Sequence, residues 1–228
     1  MSQQGPPPES MRVAANHGCF VAVRVRRPQE DVASRVKDLL SAMGLKPADK
    51  IRPGRRTSFR QDPSPMNEVV VFPARGSWVI VVPGSHDEEL VAVMAGRLSS
   101  RWEAVAITWH QATDYHRIHR FTDGRLTRHV GVYAGDLIRS VGERLPGERW
   151  DEDDFRSRLL DAPAELNDWL VGQGIEPGQD RTGVAPGEDP MKVIRISGRL
   201  GRSEILRLYL DEVDGEHSAA IEEAEAIG

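Results

Sequence analysis

Residues 68–109 read EVVVFPARGSWVIVVPGSHDEELVAVMAGRLSSRWEAVAITW, and the fold turns on how that stretch is parsed. Glu68 to Phe72 and Ser77 to Val82 are strand-length runs rich in valine and isoleucine. Pro73-Ala74-Arg75-Gly76 joins them, a connection short enough for a hairpin. Pro83-Gly84 ends the second strand. Ser85-His86-Asp87-Glu88 has the form of a capping box, in which the serine oxygen accepts the Glu88 N–H while Glu88 reaches back. The helix predicted after it turns Leu90, Val91, Met94 and Leu98 inward at helical spacing. Past Trp102, the residues Val105, Ile107 and Trp109 alternate onto one face of a further strand.

Upstream, Cys19 to Arg26 reads as a strand with one solvated face, and Pro28 suits the first turn of a helix. Val32, Val36, Leu39, Leu40 and Met43 then form one apolar stripe, closed by Gly44. Downstream, Tyr115 to Phe121 and Arg125 to Val132 flank Thr122-Asp123-Gly124, and Asp-Gly is a strong signal for a two-residue hairpin turn. The order β-α-β-β-α-β followed by a hairpin predicts an α+β fold: a ferredoxin-like βαββαβ plait with both helices on one face of a four-stranded antiparallel sheet. To it are added the β-hairpin and a C-terminal helical or β-hairpin extension. Val23, Val36, Leu40, Val70, Ile80, Leu90, Met94, Val105 and Ile107 are expected to share one core. That superfold hosts many activities and implies none.

The domain organisation follows from composition. Residues 1–16, with Gly5-Pro6-Pro7-Pro8, read as a disordered tail, and 17–134 as the plait domain with its hairpin. Residues 135–173 read as a helical segment; acids at Asp151 to Asp154 suit a first helical turn. Residues 174–190 hold three prolines and four glycines, the composition of a linker or exposed loop. Residues 191–228 are expected to form a terminal β-hairpin and tail, with a helix over Ser203 to Val213 as the competing reading. No apolar run approaches the length of a membrane span, and no membrane partner is expected. Cys19 is the only cysteine, so a reducing, cytoplasmic location is expected and the thiol reads as a small buried hydrophobe.

The familiar catalytic signatures are missing: no phosphate-binding glycine loop, no G-x-S-x-G elbow, no H-E-x-x-H and no paired cysteines. Two places remain where function could sit. Histidines concentrate between His110 and His129. With Asp123-Gly124 as a two-residue turn, Ile118 pairs with His129 and His116 with Gly131. That register sets His116 and His129 on one face about 7 Å apart, with His119 on the other. A metal there would take His116, His129 and a third ligand such as His110 or Asp114. The plainer reading is a solvated hairpin face flanked by Arg117, Arg120, Arg125 and Arg128.

The second place is the long connection Leu45 to Asn67, which carries Arg52, Arg55, Arg56 and Arg60 around one aromatic, Phe59. Loops of that length are mostly functional or disordered. The formal net charge is −5, yet the chain holds twelve Lys/Arg against six Asp/Glu up to Met66 and eighteen against twenty-nine beyond it. The expectation is therefore a non-enzymatic protein-binding module of bacterial type, in a toxin-neutralising or adaptor role. It needs no cofactor and uses the basic N-terminal third toward another, acidic protein. The alternatives are a metal-dependent or acid–base enzyme built on His110, His116 and His129, and anion or RNA binding by the same basic third. The acidic total and the lack of an RNP-type aromatic pattern speak against nucleic acid.

Overall fold

Asp31 starts the first helix: its carboxylate accepts the Ser34 N–H at 3.2 Å and satisfies one of the orphan donors of the first turn. Helix α1 (Val32–Ala42) then buries Val32, Ala33, Val36 and Leu40 along the predicted stripe. The computed structural model describes residues 17–27, 31–54, 67–72, 77–85, 87–110, 113, 115–134, 136–144, 170, 172–173, 175 and 191–214. The tail 1–16, most of 145–190 and the residues from 215 lie outside these, and with them the predicted acidic helix start, linker and C-terminal tail.

The second helix departs from its predicted start. Helix α2 (Glu88–Ser99) is capped by Asp87, whose carboxylate accepts the Leu90 N–H at 3.1 Å. Ser85 is therefore not the cap. Its carbonyl instead receives the Cys19 thiol at 3.4 Å. An aspartate adjacent to the first helical residue combines hydrogen bond and charge at the positive end of the helix, which the more distant serine cannot.

Among the described residues ten strands form one sheet: β1 (His17–Arg24), β2 (Lys46–Pro47), β3 (Arg52–Gly54), β4 (Glu68–Val71), β5 (Trp78–Pro83), β6 (Glu103–His110), β7 (Tyr115–Thr122), β8 (Arg125–Tyr133), β9 (Asp136–Gly142) and β10 (Met191–Ser197). Their order is β2-β10-β4-β5-β1-β6-β7-β8-β9, with β3 also on β10. Every pairing is antiparallel.

The ferredoxin-like plait is thereby corrected. The fold is mostly antiparallel sheet with three short helices among the described residues, not a four-stranded plait with appendages. The hairpin expected as an addition continues the sheet through β7, β8 and an unpredicted β9. Residues 191–197, expected in a terminal hairpin, supply β10 inside the sheet, and the rest of that hairpin is a helix. Helix α3 (Arg202–Tyr209) runs on into a π-helical turn at Leu210–Asp214. Ile205, Leu208 and Tyr209 recur at helical spacing and are buried, so burial of one helical face decides between the competing readings.

The expected single core is two layers. Val23, Val36, Leu40, Leu90 and Met94 pack between the sheet and the helices. Val70, Ile80, Val105 and Ile107 pack on the opposite face, where Leu170 and Ile175 also lie. A sheet covered on both faces buries strands on both sides, which is why Trp78–Pro83 is buried at every position instead of alternating.

The β7–β8 hairpin turns at Asp123 (φ 52°) and Gly124 (φ 80°), both in the left-handed region that such a two-residue turn demands. Thr122 faces Arg125 and Phe121 faces Leu126, but the register then slips, and Arg120 faces Arg128. Thr127 is the extra residue of a β-bulge, and its hydroxyl donates back to the Arg120 carbonyl at 3.2 Å. Beyond the bulge every β8 side chain is on the face opposite to that predicted.

Candidate functional site

That slip rearranges the histidines. His119, not Ile118, faces His129, and His116 faces Val132. The His119 and His129 rings lie 4.0 Å apart, buried beneath α3, and the His119 Nε2 is 3.3 Å from the Tyr209 hydroxyl. His116 is on the other face of the sheet, where burial pushes its imidazole down to about 4. His110 sits at the strand end with its Nδ1 2.7 Å from the Thr113 hydroxyl. The structure thus separates His116 from His129, the pair on which a metal site would depend. Among the described residues no group of three or more His, Cys, Asp or Glu side chains is placed to hold a metal ion. Asp114 lies outside the described residues.

Nor is this hairpin a solvated face. His116, His119, His129 and Arg128 are all buried, and one Arg128 nitrogen donates to the Val141 and Gly142 carbonyls at 3.1 Å each. Arg120 is held by Glu103 at 2.7 Å, and Arg117 lies 3.6 Å from Glu88. Polar side chains on β7 and β8 are largely spent on neighbouring strands and helices.

A second polar group, missed in the sequence, gathers where α2 begins. Tyr115 on β7 donates to Glu88, and burial together with that carboxylate raises the phenol's pKa, so it stays a neutral donor. Arg202, the first residue of α3, grips both Glu89 oxygens at 2.8 Å and reaches Asp87 at 3.3 Å. Burial opposes ionisation of Glu89, yet the Arg202 hydrogen bonds and charge outweigh it and hold the carboxyl below its usual range. Asp87, with burial as its largest influence, is raised instead. The arrangement is a clamp between α2 and α3: its cations and anions face one another.

The third region differs. Lys46–Pro47 pairs with Ile196–Ser197, and Arg52–Gly54 with Met191–Val193, so residues 46–54 form one interrupted edge strand along β10. Ala48 donates to the Arg195 carbonyl at 2.7 Å across the interruption. Directly opposed residues share a face. Lys46 stands beside Ser197 and Arg52 beside Val193, while Arg195 occupies the β10 position between them. All three are exposed on the face away from the helices, and none forms an ion pair among the described residues. Lys50 and Arg199 are exposed nearby, and Glu68 is the acid opposite Arg195. Of the binding residues expected from sequence, Arg52 is placed here; Arg55, Arg56, Phe59 and Arg60 lie outside the described residues. Arg195 was missed because it comes from the half of the chain that counts as acidic.

No helix among the described residues is long and apolar enough to cross a membrane. No family model, curated protein or solved structure matches this chain.

Proposed function

We propose that the chain is a non-enzymatic protein-binding module of bacterial type, an adaptor or toxin-neutralising protein of the cytoplasm, and that the β10 edge is where an acidic protein docks. The observation that carries this reading is the convergence of Lys46, Arg52 and Arg195, from two distant parts of the sequence, on one exposed face without ion-pair partners among the described residues. Arg24, Arg117, Arg120 and Arg128 elsewhere in the sheet engage carboxylates or carbonyls, whereas Lys46, Arg52 and Arg195 are left for a partner. Arg55, Arg56 and Arg60 follow β3 in the sequence. A single, buried cysteine, Cys19, fits a reducing compartment.

Exposed charges at such a rim act chiefly on association rate. The test is affinity capture from native lysate with the wild type and with the triple variant K46S/R52S/R195S, followed by association kinetics of the captured protein over a salt series. The wild type should enrich an acidic protein that the variant loses. Its association should slow as salt shortens the screening length to about 8 Å at 0.15 M. Equal capture and equal rates for both proteins would sink the proposal.

A further inference from the structure

The β10 edge also has a spacing, and the spacing names the shape of what it takes. Val193, Arg195 and Ser197 lie on one face of β10 at the two-residue period, about 6.6 Å apart along the strand. Arg52 stands beside the first, Lys46 beside the third, and Arg195 is the middle one itself. Positive charge therefore repeats every ~6.6 Å over about 13 Å, on two adjacent strands.

A partner could meet this edge in two ways. It could add a strand, pairing its backbone with residues 46–54, or it could lay side chains across the face. Strand addition is poorly served: Pro47 and Pro53 lack a donor, and the edge is broken into pieces of two and three residues. The side-chain route needs carboxylates at the same repeat, which an extended segment with Asp or Glu at every second residue presents on one side. A helix with acids at every fourth residue rises a similar ~6 Å per step, but its row turns about 40° round the axis at each step and leaves the flat strand surface. An extended segment keeps its row on one side.

We infer, resting on the docking reading above, that the β10 edge binds an extended acidic segment of a partner protein in which carboxylates alternate with other residues. Its glutamates or aspartates engage Lys46, Arg195 and Arg52 in succession. A single-stranded nucleic acid also carries a regular row of anions, but its bases want stacking surfaces. Among the described residues the only exposed large aromatic is Tyr133, at the end of β8 near the opposite edge of the sheet.

The test uses the full chain and three labelled probes in fluorescence anisotropy at low salt: a twelve-residue Ser-Glu alternating peptide, a peptide of equal composition with its glutamates in one block, and a twelve-nucleotide oligothymidylate. The alternating peptide should bind at least fivefold tighter than the block peptide. R195Q should weaken it about tenfold, R195K should restore most of the loss, and circular dichroism should show each variant folded. Equal binding of both peptides, with R195Q weakening both, would overturn the extended spacing while leaving an acidic docking edge. Binding of neither peptide, or binding indifferent to R195Q, would overturn both the spacing and the docking reading. Tighter binding of the oligothymidylate would assign the edge to nucleic acid and overturn the protein partner.

Discussion

The two ends of this sheet use charge in opposite ways. At the β7–β8–β9 end, histidines and arginines fill the strands, yet the structure buries His119, His129 and Arg128 and pairs Arg120 and Arg117 with carboxylates. At the β10 end, fewer polar residues lie on the strands, but Lys46, Arg52 and Arg195 stay exposed. The density of titratable residues in a stretch is therefore a poor guide to a site. What counts is whether the neighbours consume them, and that depends on register and on which strands are adjacent.

The largest expected effect tests the two apolar layers that hold both ends together. Leu40 lies between helices and sheet, and Ile107 on the opposite face. Leu40→Ala and Ile107→Ala should each cost about 2–5 kcal/mol, since each leaves a cavity in a close-packed layer. Because the sheet separates them, the costs should add to within about 0.5 kcal/mol in urea denaturation of the double variant. A strong coupling between the two would return them to a single core.

Next in size is the bulge that distinguishes the histidine end. Gly142 on β9 has φ +84°, and a Cβ there would lie 2.1 Å from the Thr127 carbonyl oxygen. Gly142→Ala must displace either β9 or the bulge, with an expected loss above about 3 kcal/mol. Gly124 has a similar φ of +80° but open space around it, so Gly124→Ala should show only the backbone cost of about 1–2 kcal/mol. Equal losses in thermal melts would mean that the bulge is not locked by β9.

How far these features could be read in the sequence follows from their physics. Helix α1 and the Asp123-Gly124 turn were legible because each is set by local signals: an apolar stripe, or two residues tolerant of positive φ. The bulge at Thr127 was not legible, because the partner that fits it, Gly142, is on a strand the pattern did not reveal. One inserted residue then reversed the face predicted for His129. The double-sided burial did leave a signal: Trp78 to Val82 is apolar without alternation, the mark of a strand covered on both faces. At the candidate site, Arg52 was legible as part of a basic stretch. Arg195 was not, because β10 reaches that edge from over a hundred residues away.

A pH dependence separates the histidine end further. His116 has its pKa lowered to about 4 by burial, against about 6.5 in an unfolded chain. A lowered folded value favours the neutral ring, so its contribution is complete above pH ~6.5, shrinks as pH falls, and stops changing below about 4. Across that window the wild type should lose roughly 3 kcal/mol more than His116→Leu, a difference that removes the carboxylates common to both. Parallel stability–pH curves for the two proteins would show that His116 is not buried as the structure has it.

The smallest expected effect belongs to the other end. K46S/R52S/R195S removes three cations that touch no carboxylate among the described residues, so the folded state loses almost no attractive contact. Surface changes of this kind are usually worth within about 0.5 kcal/mol. Arg195 is the candidate exception, since Glu68 stands directly opposite it. Even so, an exposed pair on a strand contributes below about 1 kcal/mol and is screened by salt. The triple variant should therefore melt within a few degrees of the wild type while losing its acidic partner. A melting loss comparable to that of Gly142→Ala would mean that these side chains hold the edge strand to β10. The contrast between a spent end and an available end of the sheet would then fail.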